Sequence, residues 1–301
     1  MAGSMSDKFL ASVQAFENKI ISSLISLRYF LLEPIILRVM RFKFNYKYQK
    51  IKKLPLISVC IPTFNRGQIL IERAIKSALA QTYANFEIIV VGDHCTDNTE
   101  ELLKGLKDSR IKFYNLPFRK RKYPKTIENH WFVGGAIPAN KAMEIAKGDW
   151  IARLDDDDIW TPEHLKKLLQ FAQSNNYEFV SGQYIEERFG VRKIIDGVRA
   201  RDTYFTQKPN RPNDQSPKIG GVNSWLYRSY LRFMPYNTNC WRKKWNRVWD
   251  VDLAMRIYSA GARIGFMNEV VAYVLPRPGE LSVGLDAYKI AEKEKMEKYK
   301  F

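Results

Sequence analysis

The sequence predicts an α/β fold: one domain with a mostly parallel central sheet flanked by helices, plus an amphipathic N-terminal helical extension. Three observations carry this. The 301 residues are 46% hydrophobic and 27% charged, enough for a real core and unlike a disordered or fibrous chain. From Leu56 onward, compact apolar runs alternate with runs of helical periodicity, the pattern of a parallel sheet covered on both faces. Three of the apolar runs end in polar clusters, which an open parallel sheet brings to one edge.

The elements follow in order. Residues 1–4 of the opening "MAGSM" read as a cloning scar and are set aside. Residues 5–55 contain "IISSLISLRYFLLEPIILRVMRFKF", apolar but interrupted by Arg28, Glu33, Arg38 and Arg41, with Pro34 in its middle. It lacks the charge-free run of a membrane span and the order of a signal peptide. The alternating "RFKFNYKYQKIKK" follows, and residues 5–55 hold ten basic against three acidic side chains. Basic residues crowd the C-terminal end of the apolar part. That favours a helix lying on an anionic membrane surface over one packed on the body.

"LISVCIP" is the first strand and "QILIERAIKSALAQ" the first helix of the body. "FEIIVVG" is the second strand. In "DNTEELLKGLK" the Asp97 and Glu100 pair resembles a capping box. "RIKFYNL" is the third strand, and "GGAIPANKAMEIAKG" holds a helix ended by Gly148. "DWIARL" is the fourth strand. Thr161-Pro162 opens the next helix as N-cap and first turn. "YEFVSGQYI" is a strand, "EERFGVRKI" a hairpin, and "TQKPNRPNDQSPKIGG" a loop. "WDVDLAMRIYSAG" is a helix, followed by two strands, "ARIGFMN" and "EVVAYVL". The tail is a mixed-charge helix or a frayed end.

Bulk composition removes several function classes. The formal net charge of +17 points to a polyanionic neighbour: nucleic acid, an anionic membrane or a phosphorylated ligand. Three cysteines, an odd count with no close pair, give neither a zinc spacing nor a disulfide framework, and suit a reducing cytosol. Three histidines leave little room for a His-rich metal site or a Ser-His-Asp triad. There is no GxGxxG after the first strand and no GxxxxGK[ST], which removes most support for a dehydrogenase or a P-loop ATPase.

The chemistry sits at the strand ends. The first strand ends in "PTFNRG", the second in "GDHCTDN" and the fourth in the four aspartates of "WIARLDDDDIW". Adjacent carboxylates repel, and a divalent cation removes that cost. Mg²⁺ or Mn²⁺ on one or two carboxylates, completed by substrate phosphates and water, fits an acidic run at such an edge.

"ISVCIPTFNR", "QTYANFEIIVVGDHCTDNT", "ANKAMEIAKGDWIARLDDDDIWTPEHL" and "WNRVWDVDLAMRIYSAG" resemble the family-2 inverting glycosyltransferases, which have a GT-A, Rossmann-like fold. The similarity runs from about Leu56 to Leu275. It implies that Pro62, Thr63 and Arg66 hold the nucleoside, and that Asp93 accepts a hydrogen bond from the base. Relatives carry two adjacent acids there; this chain has Gly92-Asp93. The resemblance also implies that Asp157 binds the metal, with Asp155 as second metal ligand, and that Asp155 or Asp156 reaches the ribose. Asp158 is second shell or a helix cap. Asp250 matches the acid that acts as general base, although its neighbour is Trp249 rather than an acid, and Asp252 is the rival.

By this resemblance, residues 56–183 bind the nucleotide sugar, 184–280 bind the acceptor and carry the base, and 281–301 form a helical tail. The implied reaction moves a sugar from a nucleotide-diphosphate donor to the hydroxyl of a glycan or glycolipid, in cell-surface assembly. The cofactor would be Mn²⁺ or Mg²⁺, and the location cytoplasmic, peripheral on the inner face of the cell membrane. Two alternatives stand beside it. A nucleotidyltransferase shares the metal-aspartate chemistry but wants a Gly-rich phosphate loop. A basic nucleic-acid binder would carry its own signature, and none is present. No nucleic-acid partner is expected. "FRKRKYPK" (118–125) could bind phosphate or anionic lipid. Arg277 could close over the donor, and Trp225, Trp241 and Trp245 could line a sugar site, with core packing expected for at least two of them.

Overall fold

The structure, a computed structural model, describes residues 5–49, 54–119, 123–201, 214–242 and 248–290. Residues 50–53 of the basic linker, 120–122 of the basic loop, Trp245 and the tail 291–301 lie outside the described residues.

Helix α1 (Met5–Gln49) runs through Pro34. Strand β1 (Ile57–Thr63) and strand β2 (Phe86–Gly92) are buried along their whole length, which is why they read as continuous apolar runs. Between them, α2 (Gly67–Ile69) passes through a π-helical segment (Leu70–Ile75) into α3 (Lys76–Leu79). Helix α4 (Thr99–Gly105) leads to β3 (Ile111–Asn115). Helices α5 (Ile127–Val133) and α6 (Ala136–Ile145) precede β4 (Trp150–Arg153). Then follow β5 (Ile159–Trp160), α7 (His164–Ser174), β6 (Phe179–Arg188), β7 (Val191–Ile195), β8 (Val198–Arg199), β9 (Lys218–Ile219) and β10 (Leu226–Arg228). Helix α8 (Trp249–Ser259), β11 (Ile264–Val274) and α9 (Gly284–Ile290) complete the described chain.

The main sheet has the order β3-β2-β1-β4-β10-β6-β11-β5, with β7 on β6. Strands β3, β2, β1 and β4 are parallel, as the alternating pattern predicts. Three-residue β10 enters between β4 and β6 and is antiparallel to both, so the sheet is mixed rather than uniformly parallel. It leaves a 3₁₀ turn (Val222–Ser224) with no crossover helix before it, and a short return can only pair in the opposite sense.

Alternation along β1 sends Ile57, Val59 and Ile61 to a core under α2, α3 and α7. Cys60 goes to the opposite core, under α6, α8 and Leu37 of α1. The expected hairpin forms between β6 and β7, turning at Phe189 (φ 51°) and Gly190 (φ 74°). Two local expectations change. "ARIGFMN" and "EVVAYVL" form one strand, β11, with register shifts between Met267 and Ala272. Thr161 does not cap α7, which begins at His164; its hydroxyl donates to the Val271 carbonyl at 3.2 Å, tying the helix entry to β11.

Helix α1 divides into a packed stripe and an exposed apolar surface. One stripe packs on the body: Leu37 is fully buried, Glu33 accepts from Arg256 Nε at 3.0 Å, and Arg41 Nε donates to Glu178 at 2.7 Å. Phe44 stacks on Tyr230. The rest exposes 15 large apolar side chains between Phe9 and Phe42, far more than a soluble surface helix carries. The Ser12–Phe44 segment is long and apolar enough to cross a membrane by length and composition, with a mean hydropathy of 1.7, so its scattered charges do not disqualify it on that ground.

Candidate active site

The C-terminal ends of β1, β2 and β4 open into one cavity of about 410 Å³. Pro62, Thr63, Arg66, Asp93, Asp155, Asp156, Asp157 and Asp250 all line it. The fold therefore brings together the residues that the resemblance assigns to the donor, the metal and the base.

The aspartates are held apart by different partners. Asp156 is buried, and both its oxygens are engaged: Thr63 Oγ1 donates to one at 2.7 Å and Arg66 Nη1 to the other at 2.9 Å. Burial pushes its carboxyl up, and the Arg66 charge opposes that. Asp155 accepts from Arg153 Nη2 at 2.7 Å and keeps a third of its side chain exposed. Asp157 lies 3.5 Å from both Arg66 and Arg277. Asp158 is buried; burial, then the charges of Asp157, Asp155 and Asp156, push its carboxyl well above the usual range.

Asp93 is buried and accepts from Arg119 Nε at 2.7 Å. Burial raises its carboxyl and the guanidinium pulls it back. Arg119 also lies 3.5 Å from the centroid of the Phe64 ring, so Phe64, Arg119 and Asp93 form a flat wall with a carboxylate beside it. Such a wall suits a planar base. Arg119 stands in the stretch read as a basic loop; only the fold reveals that it meets Asp93.

Asp250, in the first turn of α8, lines the same cavity. Its Oδ1 accepts from the Val251 amide at 2.8 Å. Desolvation raises its carboxyl to about 6; the backbone bond opposes this and nearby Asp155 adds to it. Asp252, the alternative base, is 2% exposed and points to Arg256 at 3.3 Å, away from the cavity lining. Arg153, fully buried at the end of β4, lies near both Asp155 and the Trp249 ring. Arg277 is drawn in by Glu280 at 2.9 Å and Asp157, so it is not an ordinary surface arginine. Sequence reasoning did not single out Arg153. Its signal is a charged residue inside an otherwise apolar strand.

Trp225 and Trp241 are both buried; Trp225 also lines the cavity, its indole N–H donating to the Gly220 carbonyl at 2.9 Å. His164 is buried against Trp160, and His130 pairs with Tyr123; burial lowers both imidazoles to about 3, so they stay neutral. His94 bonds the Leu116 carbonyl. No cluster of three or more His, Cys, Asp or Glu side chains arranged for a metal occurs among the described residues. Two carboxylates beside a cavity, with room for substrate oxygens, still fit Mg²⁺ or Mn²⁺, which take few protein ligands when a diphosphate completes the sphere.

The family model for glycosyl transferase family 2 matches residues 58–235. The chain belongs to that family. Asp250 lies beyond the matched segment. Among curated relatives, an Escherichia coli UDP-Glc:alpha-D-GlcNAc-diphosphoundecaprenol beta-1,3-glucosyltransferase, WfaP, is 35% identical over 48% of this chain and 51% of its own length. A Campylobacter jejuni GalNAc(5)-diNAcBac-PP-undecaprenol beta-1,3-glucosyltransferase is 33% identical over 46% of this chain and 40% of its own. The chain thus spans about half the length of the curated relatives it matches.

Among solved structures, S. aureus TarS 1-349 with UDP-GlcNAc superposes with a TM-score of 0.52 at 19% identity, over 80% of this chain and 66% of that one. The mannosyltransferase PcManGT from Pyrobaculum calidifontis, with GDP-Man and Mn²⁺, gives 0.51 at 16% identity over 87% and 70%. These likenesses establish the fold: it is the GT-A type.

Proposed function

We propose that this chain is a metal-dependent inverting glycosyltransferase that moves a sugar from a nucleotide diphosphate to a hydroxyl on a lipid-linked glycan. One observation carries the reading: the aspartate run and Asp250 line the same cavity, the run held by arginines and Asp250 raised mainly by desolvation. Curated relatives act on diphosphoundecaprenol-linked sugars, which supports a lipid-linked acceptor and cell-surface glycan assembly.

In this reading the base rests on the Phe64 and Arg119 wall, with Asp93 accepting from its ring N–H. The loop of Pro62, Thr63 and Arg66 backs the nucleoside; Thr63 and Arg66 do so by fixing Asp156. Asp155, more open than Asp156, reaches the ribose. Asp157, with Asp155, would hold the Mn²⁺ or Mg²⁺, which supplies Lewis-acid neutralisation of the departing diphosphate. Asp250 accepts the acceptor hydroxyl proton. With its carboxyl near 6, it is ionised at neutral pH yet still basic enough to take that proton. One displacement inverts the anomeric carbon, and no second carboxylic acid is required, unlike a glycoside hydrolase.

Screening UDP-glucose, UDP-GlcNAc and GDP-mannose with Mn²⁺ and a lipid-diphosphate sugar acceptor tests this. Transfer from one donor with inverted anomeric configuration is expected. Pyrophosphate release from a nucleoside triphosphate and a sugar phosphate, without transfer, would replace it with nucleotidyl transfer.

The same proposal places α1 on the inner surface of the membrane. Residues Tyr29 to Phe44 hold the body through Glu33, Leu37 and Arg41, so this length of helix runs alongside a polar domain and lies in the interface instead of crossing it. Leu24, Leu27, Leu31 and Ile35 stand exposed. Replacing all four with Gln should release the protein from vesicles of anionic lipid. Unchanged sedimentation with vesicles would remove the membrane role.

A further inference from the structure

Asn223 is the least satisfied polar side chain at the cavity. It is 1% exposed and lines the cavity, yet neither Oδ1 nor Nδ2 has a hydrogen-bond partner among the described residues. A buried carboxamide offers two donors and an acceptor with two lone pairs, and leaving all of them unmade is costly. Native interiors seldom leave such a group unmade, and at a cavity wall a bound ligand is one way to complete the set.

The setting around Asn223 is rigid. Its carbonyl accepts from the Trp160 indole at 2.6 Å. Ser224 N bonds the Gly221 carbonyl at 2.9 Å, and Gly220 N bonds Ser181 Oγ at 2.9 Å. A side chain at Gly221 would stand 3.0 Å from Asn223 Oδ1 and 3.0 Å from the Tyr184 ring, so the bare glycine leaves the amide its space. The amide is held in place by its backbone, and its buried tip has no protein hydrogen-bond partner among the described residues.

Its position along the sheet says what should meet it. The nucleoside wall stands at the ends of β1 and β2, and the aspartates leave β4. The next strand is β10, paired with β4 through Leu226 and Ala152, and Arg153 N bonds the Trp225 carbonyl at 3.3 Å. Asn223 precedes β10 by three residues and so stands beside the aspartates, on the side away from the nucleoside. Strands lie about 4.8 Å apart, so the edge reads base, ribose and diphosphate, then sugar, in the order a nucleotide sugar presents them.

We propose that the Asn223 carboxamide hydrogen-bonds hydroxyl groups of the sugar being transferred and helps choose the donor. This rests on the glycosyltransferase reading. Neighbouring hydroxyls are each donor and acceptor, which a carboxamide matches with its N–H and C=O together. A donor lacking the matched hydroxyl would leave the amide unpaired, the strongest kind of discrimination a pocket can build.

The test uses the full chain with Mn²⁺ and three probes: UDP alone, UDP-glucose and UDP-GlcNAc. Wild type is compared with Asn223→Ala and the near-isosteric Asn223→Leu, with thermal melts on each. The expected result is a loss of about 10- to 100-fold in kcat/KM for the sugar donor the wild type uses. Affinity for UDP should stay within about twofold, and the melting temperature should not fall for at least one variant. Deoxy donors should identify the contact: the one missing the matched hydroxyl loses its sensitivity to Asn223→Ala. Donor kcat/KM within about threefold of wild type in a folded variant overturns the proposal, as does an equal loss of UDP affinity. If wild type turns over no nucleotide sugar, the glycosyltransferase reading falls first and takes this one with it.

Discussion

The aspartate run after β4 and the single aspartate at the start of α8 line one cavity, and their surroundings differ. The run is built among cations: Arg153 on Asp155, Arg66 on Asp156, and Arg66 and Arg277 near Asp157. Asp250 has a backbone amide for company, and its carboxyl is pushed up to about 6 mainly by desolvation. The same side chain sits among arginines in one place and beside a backbone amide in the other. What differs is how solvent and positive charge are distributed.

The largest effect should come from breaking the platform. Asp157→Ala should lower Mn²⁺-dependent transfer by about 10³-fold or more while leaving the fold intact by circular dichroism. Near-normal transfer would move the metal ligand elsewhere in the run. Asp250→Asn should sharpen the contrast from the other side. It should cut transfer by about 10²- to 10⁴-fold while UDP affinity stays within about twofold, because a base serves chemistry and not donor binding. Strong loss of UDP binding in that variant would mean the two sites are not separate in function.

The pH dependence is the next test, and it has two signs. Transfer should fall about tenfold per unit as pH drops below 6, where Asp250 becomes protonated. Stability should move the other way for this group. A carboxyl raised in the folded state binds protons more tightly there than in the unfolded chain, so its unfavourable contribution is present above about 6 and fades as pH falls towards the unfolded value. Asp250→Asn should therefore melt higher than wild type at pH 7, by up to about 3 kcal/mol, with the difference shrinking near pH 4. An unchanged or lower melting temperature at pH 7 would show that Asp250 is not held in a desolvated setting.

The platform was easier to read in the sequence than its supports. Asp155 to Asp158 follow an apolar strand directly, and strand ends in a parallel sheet converge, so their location came from local pattern alone. Asp250 was placed by resemblance; what separates it from Asp252 is the side of α8 each faces, which only packing against Arg256 decides. Arg119, Arg153 and Arg277 meet their acids across 26, 2 and 120 residues, and nothing in a charge run marks which arginine will turn inward. Asn223 was hidden for another reason. Its strand, β10, has three residues, too few for a periodicity, and the Gly-Gly before it signals a close backbone approach without naming the partner.

The smallest effect should come from the seam between α1 and α8. Glu33, Arg256 and Asp252 are all buried there, with Arg256 also donating to the Pro235 carbonyl at 2.8 Å and lying 3.6 Å from the Tyr29 ring centroid. Burial raises Glu33 even with Arg256 beside it, so desolvation outweighs the attraction and the pair is a weak source of stability. Glu33→Gln keeps the shape and a hydrogen-bond acceptor, and Arg256 keeps Asp252. The expected cost is about 1–2 kcal/mol in a denaturant melt, with transfer within about threefold. Arg256→Met should cost more, since it leaves two buried acids facing each other. If Glu33→Gln instead lowers kcat well beyond its effect on the melt, α1 does more than dock: it sets the pose of α8 and so of Asp250. The contrast between platform and base would then extend to how each is held, one by arginines within the sheet edge and the other by a helix that carries the apolar surface.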